Sequence, residues 1–206
     1  MADTVSNLFA DTISAVEAAA NYYSSVNNDK SLREAFHEAG RGQGLVRQAL
    51  QAANLNLGGR KPTEKTAVLV EACRTKAKLS EGIFKEAAQA PEGSGFDRYK
   101  AAVEQNKGST VEVLTVGMMK GICELAEDDA MKAAMETLVM ELRDAVAKLS
   151  KMEPSMPTEE AGHNFTNFTN RGRDQINAPS GTVNRSEGAG NHFPGATFSG
   201  SVSFGN

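Results

Sequence analysis

The sequence predicts an all-α bundle of about five to six helices, followed by a tail built on a different plan. Three observations carry this. Apolar residues recur at three- and four-residue intervals from residue 5 to about 152. Pro154 and Pro157 end that pattern, because proline cannot continue a helical hydrogen-bond ladder. The closing stretch, GNHFPGATFSGSVSFGN at residues 190–206, contains no charged side chain and alternates with a period of two from Ala196 to Phe204.

The elements follow in order. In the first helix Val5, Leu8, Phe9, Ile13, Val16, Ala20 and Tyr23 share one stripe. A second is expected from Ser31, where SLRE matches a capping box with Ser31 and Glu34 as reciprocal partners. Its apolar positions are Leu32, Phe36, Leu45, Val46, Ala49, Leu50 and Ala53, and the GRGQG stretch at 40–44 predicts a kink or loop within it. The third covers about 62–90, with Pro62 suited to its first turn, and APEGSG ends it. A shorter helix follows through Phe96, Tyr99 and Val103. STVE at 109–112 predicts a second capping box, opening a helix with Val111, Leu114, Met118, Ile122 and Leu125. The last helix spans about 128–152, with Asp128 and Asp129 at its start and Lys148 and Lys151 near its end complementing the dipole.

Composition limits function. A net charge of −4 and no basic stripe argue against a nucleic-acid partner. The N-terminus lacks the basic region and continuous apolar core of a signal peptide, and no apolar run approaches the ~20 residues of a spanning helix. A cytoplasmic chain is therefore expected, with Cys73 and Cys123 as reduced thiols. His37, His163 and His192 show no metal-ligand spacing. GGRKPT at 58–63 lacks the G-x-x-x-x-G-K-[ST] phosphate-loop pattern and reads as a turn. No catalytic, cofactor-binding or metal constellation is found, and the chain is expected not to be an enzyme. Met118, Met119, Met131, Met135 and Met140 read as core, with an adaptable groove as the alternative. Gly117 and Gly121 read as close helix packing. Ser6, Ala10, Ser14 and Ala18 form a ridge of small side chains on the first helix, suited either to packing in the bundle or to helix association in a membrane.

The tail divides further. Residues 156–180 read as a disordered spacer and residues 181–206 as a Gly/Asn/Ser-rich segment prone to stack as cross-β. Phe198, Val202 and Phe204 fall on one strand face and Thr197, Ser199, Ser201 and Ser203 on the other. Identical copies in register would pair every amide, and sparse charge permits stacking at ~4.8 Å. A plain flexible linker is the alternative.

Two stretches resemble known families. GTVNRSEGAGNHFPGATFSGSVSFG, residues 181–205, resembles the sigma-type amyloid signalling motif of filamentous fungi, which occurs on NACHT-type receptors and on the effectors they activate. The resemblance assigns to the motif Val183, Asn184, Gly188, Gly190, Asn191, Phe193, Gly195, Phe198, Gly200, Val202, Phe204 and Gly205. ISAVEAAANYYSSVNNDKSLREAFHEAGRGQGLVRQALQAA, residues 13–53, resembles the start of the SesA domain, found on fungal NACHT and P-loop receptors and as a separate effector. Together they imply a HeLo-like helical bundle over 1–155 and a cell-death or heterokaryon-incompatibility effector. Its tail would be templated by a NACHT/NLR-type receptor carrying a matching motif, and its bundle would then act at the plasma membrane. The membrane-active helix implied is the first, with Val5, Leu8, Phe9, Ala10, Ile13, Ser14, Val16 and Ala18. It carries Ser and Ala where some relatives carry glycine. A non-toxic adaptor, whose bundle binds a protein and whose tail drives assembly, is the alternative.

Overall fold

The computed structural model describes residues 2–57, 63–91 and 93–157. Six helices account for most of them: α1 (Ala2–Val26), α2 (Glu34–Leu57), α3 (Glu64–Ala88), α4 (Gly95–Gln105), α5 (Val111–Leu125) and α6 (Asp129–Leu149). No strand occurs among the described residues. The expected all-α bundle is the observed fold. The tail, including all twelve positions assigned to the amyloid motif, lies outside the described residues.

Packing follows from which faces are apolar. α1 lies against α2 and α3, α5 packs on α2 and α3, α6 covers α2 and α5, and α4 docks on α3. Within the core, four helices each contribute one aromatic ring to a single group. Phe36 of α2 stands edge-on to Phe84 of α3 and to Tyr99 of α4, with centroids 5.0 Å apart in both pairs. Tyr23 of α1 meets the Phe84 ring edge-on at 5.9 Å. Offset and edge-on geometries are those favoured by the ring quadrupole. Met118, Met119, Met131 and Met135 are all fully buried, which settles four of the five methionines as core; Met140 is 62 % exposed.

Several local expectations change. α2 runs unbroken through Gly40–Gly44, because two of its glycines admit neighbours rather than bend the chain. A methyl at position 40 would overlap the Tyr23 ring, and one at 42 would meet Met119 Cε at 2.9 Å. α2 also begins at Glu34 rather than Ser31, so SLRE is no capping box here. The Ser31 hydroxyl instead accepts the amide of Phe96 at 3.3 Å, capping α4 from the α1–α2 loop. Likewise α5 starts after Thr110, whose side chain makes no cap bond, and Glu112 is engaged elsewhere. α3 is capped by Thr63, which accepts from Thr66 N at 3.1 Å; Pro62 lies outside the described residues. α6 ends at Leu149, three residues before the apolar pattern does.

One polar group crosses the centre of the bundle. Gln43, Ser80 and Thr115 come from α2, α3 and α5, and all are buried. Gln43 Nε2 donates to Thr115 Oγ1 at 2.8 Å. Gly117 and Gly121 of α5 face α3, where added methyls would meet Lys76 Cε at 2.8 Å and Cys73 Sγ at 3.1 Å. Their spacing marks close helix approach, as expected. Cys73 is buried and Cys123 half-buried, and both are free thiols.

Candidate functional site

Two features of the helical unit bear on function: the outer face of α1 and the segment that follows α6. α1 forms because residues 2–26 contain neither glycine nor proline and are rich in alanine. Of the residues assigned to a membrane-active helix, Val5, Phe9 and Val16 are buried in the core. Leu8 and Ile13 are half-buried against it. Thr12 sits on the same inner face, and its hydroxyl donates to the Leu8 carbonyl at 2.6 Å. The small ridge points the other way: Ser6, Ala10 and Ser14 are exposed, and Ala18 is half-buried. The ridge is therefore not what lets α1 approach its neighbours inside the unit.

Two acidic side chains of α1, Asp11 and Glu17, are matched by cations from the helices beside it. Asp11 accepts from Arg74 of α3 at 3.5 Å, and Glu17 from Arg47 of α2 at 3.3 Å. Such exposed pairs contribute little to stability, but they leave no basic strip on α1 for anionic lipid to attract. Among the described residues no helix is long and apolar enough to cross a membrane.

The chain after α6 turns back onto the bundle instead of leaving it. Arg33 Nη1 donates to the Pro154 carbonyl at 3.1 Å. Ser155 is fully buried, and its backbone amide donates to Glu112 Oε1 at 2.9 Å. The Ser155 hydroxyl donates to the same carboxylate, 2.7 Å from Oε2, while the Tyr99 hydroxyl donates to Ser155 Oγ. Burial, then the negative charge of Glu112, push the Tyr99 phenol far above its ordinary value. Met156 follows at 1 % exposure, one residue beyond the boundary expected at 155. Nearby, Lys148 of α6 and Arg41 of α2 both donate to the Glu38 carboxylate, at 2.7 and 2.6 Å. Burial alone would raise the Glu38 pKa, but these two hydrogen-bonded cations outweigh it and hold the group below its ordinary value.

Sequence reasoning did not find this junction. Glu112 had a ready reading as a capping residue, and Ser155 stands between two prolines in what looks like linker. Only the fold brings them together across 43 positions. The arrangement offers no chemistry of its own, since the carboxylate is occupied by the serine amide and hydroxyl. Among the described residues no group of three or more His, Cys, Asp or Glu is placed to hold a metal ion. His37 is buried, with Nε2 hydrogen-bonded to the Asp29 carbonyl at 3.0 Å; His163 and His192 lie outside the described residues.

Comparison with known families gives two matches. Residues 9–125 match the family model of SesA, the N-terminal domain on NACHT NTPases and P-loop NTPases. Residues 165–205 match the NACHT sigma model, the sigma domain on NACHT NTPases. No curated protein and no solved structure matches the chain.

Proposed function

We propose, from the premise that the chain belongs to the SesA family and joins to it a NACHT sigma domain, that it is a signalling effector switched on by a NACHT-type receptor. The observation that carries this is the pairing of the two families in one polypeptide: both are tied to NACHT NTPases, and together they span most of the chain. Nucleotide-driven assembly is assigned to the partner, since both matched families are tied to NACHT NTPases. In this reading a receptor oligomer presents a matching motif, the segment 181–206 adds to it strand by strand as cross-β, and helical units are concentrated as a result. The chain acts without catalysing a reaction. It works from the cytoplasm, and the clustered bundles then attack the plasma membrane through α1.

A second reading, a non-toxic adaptor, draws on a specific observation: Phe9 and Val16 are buried, and Glu17 and Asp11 of α1 are paired with Arg47 and Arg74. Membrane action requires α1 to leave this setting, whereas protein binding does not. The test is to seed the full chain with fibrils of a peptide of residues 178–206, beside vesicles loaded with a self-quenching dye. Conversion with dye release supports the membrane effector; conversion without release supports the adaptor. Failure of the fibrils to convert the chain overturns both.

A further inference from the structure

Between α6 and the C-terminal end of α5 runs an open groove of about 570 Å³, lined among others by Cys123, Ala126, Lys132, Val139, Met140 and Arg143. It is the outer side of α6. Met131, Met135, Leu142 and Leu149 occupy the opposite side and are buried, so at ~100° per residue Met140 points directly away from the core. At 62 % exposure Met140 is among the most exposed large apolar side chains of the unit, and half-buried Val139 extends the apolar strip beside it. Charges flank this strip with opposite signs: Glu136 on the N-terminal side and Arg143 on the C-terminal side, both exposed. The Arg143 guanidinium lies beside the Cys123 thiol, and Glu136 has no ion pair among the described residues.

We propose that this face is an isologous interface, and that its occupant is α6 of a second copy of the chain, packed antiparallel. The charge order selects the occupant. A two-fold axis crossing α6 between Val139 and Met140 pairs residues equally distant from it. Val139 then meets Met140 of the second copy, Glu136 meets Arg143, Ala133 meets Val146 and Lys132 meets Ala147. The apolar strip closes on itself, and two Glu–Arg pairs bracket it roughly 5 Å along the helix on either side. A parallel pairing would set Glu136 against Glu136 and Arg143 against Arg143, so the same charges that favour one orientation reject the other. Alanines at 126, 133 and 147 leave the approach unobstructed. One helix face per copy is a small interface, so the pair is weak and fills as copies are brought together. This surface is independent of the tail and of any receptor.

Charge exchange tests it in the full chain, with Phe198→Asp also present in every protein so that tail stacking does not contribute. Sedimentation from micromolar to millimolar concentration should show a monomer–dimer equilibrium. Glu136→Arg alone and Arg143→Glu alone should each weaken it more than about tenfold, and the double exchange should restore it. Met140→Cys should form an intermolecular disulfide under mild oxidation, while Ala134→Cys, exposed on another side of α6, should not. Positions 134, 136, 140 and 143 are exposed, and helical circular dichroism checks that each variant is folded. A chain that stays monomeric with no Met140→Cys crosslink overturns the proposal, as does a double exchange as defective as either single one.

Discussion

Ser155 Oγ lies 2.7 Å from Glu112 Oε2, so the segment following the last helix is fastened to the first turn of the fifth. Ser155→Ala removes the hydroxyl that serves both Glu112 and Tyr99 in a buried setting. Leaving such groups unpaired costs about 1–3 kcal/mol, so thermal melts of this variant should fall by several degrees. An unchanged melt would mean that the junction contributes nothing to holding the unit together.

Two glycines of α2 should respond oppositely to the same substitution. Gly40→Ala places a methyl in the Tyr23 ring, and overpacking of this kind costs about 1–3 kcal/mol. Gly44→Ala meets open space, so the better helix propensity of alanine should raise stability by about 0.5–1 kcal/mol. Denaturant midpoints of the two variants should lie on opposite sides of the parent.

The Cys73 thiol sets an alkaline limit. Burial pushes its pKa from the ordinary 9.0 up to about 11. Below pH 9 both folded and unfolded chains keep the proton and stability does not respond. Between pH 9 and 11 only the unfolded chain releases it, so stability falls as pH rises, by roughly 2–3 kcal/mol in all. Cys73→Ala should flatten that decline relative to the parent, read from urea midpoints at pH 8 and pH 10.5.

On α1 the inner and outer faces separate folding from function. Phe9→Ala should cost about 3–5 kcal/mol, since the ring is fully buried. Ala10→Leu adds bulk to the exposed ridge and should leave the melt unchanged. If α1 associates through that ridge in a membrane, the same substitution should reduce dye release from vesicles after seeding.

Much of the bundle is legible in the sequence, for a physical reason: its helices bury stripes at helical spacing, and prolines or glycine-rich turns bound most of them. What misled was local chemistry that tertiary contacts overrode. Ser31 and Glu112 stand at capping-box spacing, yet Ser31 is drawn to the α4 amide of Phe96 and Glu112 to Ser155. Gly40 and Gly42 look like a break, because nothing local reveals that Tyr23 and Met119 fill the space they leave. On α1 the apolar stripe included Leu8 and Ile13, whereas Thr12, Ala15 and Ala19 go deeper. Small residues permit the close helix approach that sets that rotation.

The tail prediction follows from its alternation alone. A peptide of residues 178–206 should form fibrils with ~4.8 Å meridional spacing, and those fibrils should convert the full chain. Phe198→Asp or Val202→Asp would repeat a like charge at every layer and should abolish both, while leaving the helical melt as it was. Ser199→Thr keeps a hydroxyl in the ladder and should be tolerated. Efficient seeding by the Asp variants would return the segment to the role of a linker.

The hold on residues 154–156 also has a mechanical side. Tension on the chain from beyond residue 157 would reach Arg33–Pro154, Ser155 and Met156 before it reached α6. These contacts follow one another along a few residues of chain, whereas α6 is held against both α2 and α5. The bundle thus meets a load with this short anchorage first, and the helices behind it are strained only after that anchorage is lost.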